Sequence, residues 1–186
     1  YSLRYENVNN TGLWDPAVTL GYSGTDVDRP NDAWAGSTNS TSRTYSLVLQ
    51  NEFHLSDSNK ITAGVDFQNR KTSISGSWVT PDFASEESDN IGVFAQARLE
   101  PTARLNISAG MRYDWQDFTG YQWLPTDPVY MSSYSGASGN LSLVYDVTED
   151  FSWRAGYSNV FGGLDLGDSF EFWQTRDYSG LRPSRA

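Results

Sequence analysis

Hydrophobic and polar residues alternate with a period of two along most of the chain. This pattern predicts β-strands with one greasy and one wet side. In 44–55, Tyr45, Leu47, Leu49, Asn51, Phe53 and Leu55 make one mainly apolar side, and Thr44, Ser46, Val48, Gln50, Glu52 and His54 the mainly polar other. In 60–70, Ile61, Ala63, Val65 and Phe67 oppose Thr62, Gly64, Asp66, Gln68 and Arg70. In 90–100, Ile91, Val93, Ala95, Ala97 and Leu99 oppose Asn90, Gly92, Gln96, Arg98 and Glu100, with Phe94 breaking the polar side. In 105–117, Leu105, Ile107, Ala109, Met111, Tyr113 and Trp115 oppose Asn106, Ser108, Gly110, Arg112, Asp114 and Gln116. Segments 135–147, with Val144 as an exception, and 151–161 continue the pattern, and 1–8 and 16–24 add two weaker strands.

The connections between these segments alternate in length. Residues 9–15, 56–59, 101–104 and 148–150 are short links; 25–43, 71–89, 118–134 and 162 onward are long. Short turns at one rim and long loops at the other characterise outer-membrane barrels, whose strands of about ten residues cross lipid at a tilt. Aromatic residues lie near both ends of the strands. Phe53, Tyr145, Phe151 and Trp153 are next to the short turns, and Tyr113, Trp115, Tyr157 and Phe161 next to the long loops, as two interfacial girdles require. A soluble sandwich or lipocalin-like barrel also alternates, but it turns its apolar side inward and has no need of loops alternating in length. The expected fold is therefore all-β: an antiparallel transmembrane β-barrel segment of about eight strands.

Composition refines this picture. Hydrophobic residues make up 38% and aromatics 15%. The mean hydropathy of -0.55 fits a barrel that shows lipid only every second residue. No apolar run is long enough for a membrane-spanning helix. The net charge of -10 argues against nucleic acid as a partner, and the absence of cysteine removes disulfides and thiolate chemistry. The chain starts within the alternation, at Tyr1-Ser2-Leu3-Arg4-Tyr5, and finishes on Ala186 after a loop with no returning strand. Arg4, Glu6, Glu52, Asp66, Arg70, Arg98, Glu100, Arg112, Asp114 and Arg154 all fall on the wet side. So many charges need an aqueous or plugged lumen rather than the tight core of a closed eight-stranded barrel. Residues 1–186 are accordingly expected to be part of one larger barrel domain.

Several motifs occur in an order that narrows the reading. Ile91-Gly92-Val93-Phe94-Ala95-Gln96 running to Pro101, then Ala109-Gly110-Met111-Arg112-Tyr113-Asp114, Ser138-Gly139-Asn140-Leu141, Arg154-Ala155-Gly156-Tyr157-Ser158, and Leu181-Arg182-Pro183-Ser184 follow one another, preceded by Ala63-Gly64-Val65-Asp66. Over about 44–186 this succession resembles TonB-dependent outer-membrane receptors. The resemblance implies about 22 strands with a plugged lumen, the plug and remaining strands lying outside these residues. It implies active import of a ferric, siderophore-like chelate or a similar scarce nutrient across the bacterial outer membrane. The implied partners are outer-membrane lipid, the protein's own plug and TonB on the periplasmic side. Asp66, Arg70, Arg98, Arg112, Asp114 and Arg154 would then face the lumen and plug. A passive porin-like channel is the alternative.

Candidate chemistry is sparse. His54 is the one histidine, so neither a catalytic triad nor a histidine metal cluster can be assembled, and no enzyme, cofactor or resident metal is expected. The stretch 162–185 has no histidine, which weighs against haem ligation from there. Asp26, Asp28, Asn31 and Asp32 lack the spacing of a calcium loop and read as solvated surface acid. In the long loops, the aromatics Tyr121 and Trp123, followed by Trp173 with Arg176, are the expected ligand contacts. Flat rings stack on chelators, and a guanidinium attracts anionic ones.

Overall fold

The computed structural model describes residues 1–7, 12–32, 36–76, 83–122, 124–164, 166, 178 and 180–186, with residues 31, 32 and 36 as backbone only. Eight antiparallel strands form one sheet in chain order: β1 (Ser2–Glu6), β2 (Asp15–Asp32), β3 (Gly36–His54), β4 (Lys60–Gly76), β5 (Phe83–Thr102), β6 (Leu105–Gln122), β7 (Pro128–Asp146) and β8 (Ser152–Asn159). β1 and β8 are its two edges, so this is an open wall of a barrel and not a closed one. A short β9 (Phe161–Gly163) pairs with β10 (Ser184–Arg185), so a two-residue strand does return where a plain terminal loop was expected.

The six strands β2 to β7 are 17 to 20 residues long, well beyond the expected spans. At about 3.3 Å per residue they reach roughly 60 Å, against an apolar belt of about 25 Å on such barrels. The extra length lies at one end. Most of the expected loops 25–43, 71–89 and 118–134 is strand, leaving 33–35, 77–82 and 123–127 between strands. The other end keeps tight turns, as at Leu55–Asn59, where Leu55 N–H donates to Asn59 C=O at 2.8 Å. The length asymmetry is therefore real, but it takes the form of strand overhang.

Cross-strand register shows that one face runs unbroken through the sheet. Arg4 pairs with Thr19, Thr19 with Val48, Val48 with Asp66, Asp66 with Gly92, Gly92 with Asp114 and Asp114 with Gly136. The opposite face carries the greasy positions, and these are not covered. Leu49, Met111, Trp115, Leu141, Trp153 and Tyr157 are 41–71% exposed. Buried groups on the polar face include Glu86, Ser88, Asp114, Gln116 and Gln122. A water-soluble fold would do the reverse; this inversion is stable where hydrocarbon is the outer solvent.

Phe161 departs from its expected place in the outer girdle. β8 ends at Asn159, and the Phe161 ring lies over Gly136 on the polar face, where it is buried. Only glycine leaves room there.

Candidate functional site

At mid-height of the polar face, the guanidinium of Arg112 (β6) spans three strands. Its Nη2 donates to Asp66 Oδ1 on β4 at 2.9 Å, and its Nε donates to Asp114 Oδ2 on its own strand at 2.8 Å. The central strand makes this reach possible. Gly92 of β5 sits between Asp66 and Asp114 in register, and a Cβ at that position would collide with the guanidinium. Asp114 is almost fully buried and Asp66 mostly so. Charge-assisted, forked contacts of this kind are the strong class of hydrogen bond. Arg70, Arg98 and Arg154 share the face by register. Arg98 and Arg154 are exposed and have no ion pair among the described residues.

Toward the overhanging end the polar face is roofed by the chain itself. Gln116 is the fastener: its Nε2 donates to Leu164 C=O at 2.8 Å and to Ser88 Oγ at 2.8 Å, and its Oε1 accepts from Leu164 N–H at 2.7 Å. Phe118, Leu164 and Tyr178 form a small buried cluster beside it. Tyr130 stacks on Tyr178 at 4.9 Å between centroids, and its hydroxyl meets that of Tyr134 at 2.9 Å. Hydrogen bonds from Ser132 and then Tyr130 hold the Tyr134 pKa below the ordinary tyrosine value; the bond to Tyr134 raises that of Tyr130.

The expected ligand contacts fare differently. Tyr121 lies on the outward face, its ring 5.7 Å from Lys71 Nζ, and is separated by the sheet from Tyr130 and Tyr178. Trp123, Trp173 and Arg176 lie outside the described residues. No local signal in the sequence marks Tyr130 and Tyr178 as a stacked pair. In the acidic stretch after Gly24, Asp26 pairs with Arg43 at 2.6 Å, and that hydrogen bond raises the pKa of Arg43.

At the short-turn end, three groups converge on the polar face. Asp15 stands directly across from Glu52, and His54 is two residues further along the same strand. His54 Nε2 is 3.2 Å from Asp15 Oδ2 and 3.5 Å from Glu52 Oε1; one donor atom from each residue lies within 4.8 Å of the others. Lys60 Nζ also reaches Glu52 Oε1, at 3.0 Å, and Thr62 Oγ1 donates to Glu52 Oε2 at 3.2 Å. Sequence reasoning missed the grouping, having placed Asp15 in a short link, whereas it opens β2.

Comparison with known proteins places this geometry among relatives. A family model described as "TonB dependent receptor-like, beta-barrel" matches residues 1–186. The chain is 33% identical over 178 residues to "Heme transporter BhuA" of Brucella ovis, and 32% identical over 178 residues to its counterpart in Brucella abortus (strain 2308). Each alignment takes in 90% of this chain and 25% of the relative, so the chain spans about a quarter of their length. Among solved structures, "Copper transporter OprC" superposes with a TM-score of 0.76 at 17% identity, covering 99% of this chain and 34% of the other. The ferric-catecholate import receptor Fiu from K12 E. coli, in its closed form, gives 0.65 at 15%, covering 99% and 36%. At such identities the structural likeness speaks for the fold.

Proposed function

The chain belongs to the TonB-dependent receptor β-barrel family of the bacterial outer membrane, and from that membership we propose that the whole protein imports an iron complex across this membrane, energised through TonB. The observation that carries the reading is the inverted wall: a bare apolar face outside and a charged, hydrogen-bonded face inside, with Arg112 clamped between Asp66 and Asp114. Charges on an inner face suit a wet, plugged lumen, where water and a mobile domain solvate them. Closure of the remaining strands would satisfy the backbone at both edges of the sheet within lipid.

Haem is the cargo named for the Brucella relatives, and a ferric, siderophore-like chelate the one that the motif resemblance implies. With His54 at the short-turn end, any axial ligand to haem would come from the plug, from other strands or from a tyrosine. The test is growth of a deletion strain with haem, or one ferric chelate at a time, as sole iron source, with and without TonB. We expect loss of growth on one such complex, restored by the gene only when TonB is present. Normal growth on every complex, together with ohmic conductance of the purified protein in planar bilayers, would refute the proposal in favour of a passive channel.

A further inference from the structure

We propose that Asp15, Glu52 and His54 form a binding site for a divalent transition-metal cation of the Zn²⁺ class, on the lumenal face at the short-turn rim. The inference stands on the geometry of the cluster, whatever the cargo. Zinc bonds of about 2.0–2.2 Å in a tetrahedral arrangement separate neighbouring donor atoms by about 3.3–3.6 Å. The His54 nitrogen stands 3.2 Å from one carboxylate oxygen and 3.5 Å from the other. One imidazole and two carboxylates make three protein ligands, which leaves a coordination position for water.

The groups are held in place from behind. Asn51, on the outward face, accepts from Asp15 N–H at 3.0 Å and donates to Leu13 C=O at 3.0 Å; His54 N–H donates to Gly12 C=O at 3.1 Å. The turn before β2 is thereby fixed to β3, and Asp15 is fixed opposite Glu52. Such support fixes the backbone that carries the donors before any ion arrives. The cation already drawn to the cluster is Lys60, bonded to the Glu52 oxygen that faces His54. The register neighbour of Lys60 on this face is Arg98, and Glu6, toward β1, is paired with Arg4. A divalent ion replaces the ammonium by binding three donors at once, and Lys60, whose side chain is partly exposed, swings into water. Imidazole with carboxylate suits Zn²⁺, Ni²⁺ or Cu²⁺ better than Ca²⁺ or Mg²⁺.

The test uses the full-length protein from outer membranes, stripped of metal in detergent. Zn²⁺ is titrated calorimetrically, and Co²⁺ is followed by its visible absorption as a report of coordination. One equivalent should bind with an imidazole in its shell. His54→Ala and Asp15→Asn should each weaken it by about tenfold or more. Lys60→Met should tighten it by about threefold, since a competing charge is gone. That gain separates metal ligation from a merely structural ion pair, and it stands even if the His54 variant fails to fold. Zn²⁺ affinity unaltered by His54→Ala, or unaltered or lowered by Lys60→Met, would overturn the proposal.

Discussion

Replacing Arg112 by Met tests whether the clamp at mid-wall holds the sheet together. The substitution keeps most of the side-chain volume and removes the charge that joins Asp66 on β4 to Asp114 on β6. Each ion pair is worth about 4 kcal/mol of gross attraction at an effective dielectric of 20, and desolvation of the three charges offsets much of this. What remains after substitution decides the magnitude. Two carboxylates would face each other across Gly92 with no cation between them, one 5% and the other 18% exposed. Removing one partner from a buried pair costs about 3–5 kcal/mol. The Arg112 side chain is 32% exposed, so water enters and the lower end, about 3 kcal/mol, is expected. The assay is equilibrium urea unfolding of the full-length protein in lipid vesicles, followed by tryptophan fluorescence. The decisive comparison is Arg112→Met with Asp66→Asn and Asp114→Asn together, which should recover most of the loss because the stranded charges are gone. A neutral single variant, or a triple variant no more stable than the single one, would refute the reasoning.

The two faces of β3 invite a paired test. Leu49→Lys places a charge at the middle of the outward face and should cost about 2–4 kcal/mol, whereas the same change at the adjacent inward Gln50 should cost about 1 kcal/mol or less, both measured by the same unfolding titration; equal costs would contradict the assignment of faces. Gln116→Ala removes both bonds to Leu164 and strands its N–H and C=O. The loss of about 2 kcal/mol should act locally, raising hydrogen exchange around Leu164 roughly thirtyfold while the wall strands keep their protection; unchanged exchange there would show that the roof is held by other contacts.

The sequence revealed the strands where one side meets lipid, and lost them where neither does. Leu47, Leu49 and Phe53 announce β3 because hydrocarbon demands apolar groups at every second position. Beyond Tyr45 the same strand reads Ser40-Thr41-Ser42-Arg43, wet on both sides, so alternation disappears though pairing continues. There the ladder is supported by cross-strand polar pairs such as Thr41 with Ser73 at 2.6 Å, which leave no periodic trace. The site shows the same division. Alternation put Asp66, Arg112 and Asp114 on one face, but their meeting depends on the register that sets Gly92 between the two carboxylates. The grouping of Asp15 with Glu52 and His54 depends on register in the same way. Turning the Phe161 ring inward takes a break in the strand after Asn159 that no hydrophobic pattern records.

The cations of the inner face are not equivalent, and their pairing sorts them. Arg112 is already satisfied by two carboxylates of the wall, so an acidic group arriving from the lumen would have to compete with both to gain from it. Arg98 and Arg154 are exposed, and the wall offers neither an ion pair among the described residues. Both stand toward the short-turn end, Arg98 level with Lys60 on β4 and Arg154 paired with Val144 on β7. A partner with acidic groups would meet unpaired cations there, whereas at mid-wall it would have to compete with Asp66 and Asp114. A wall built this way holds its own ion pairs at mid-height and leaves its open charges toward the short-turn rim.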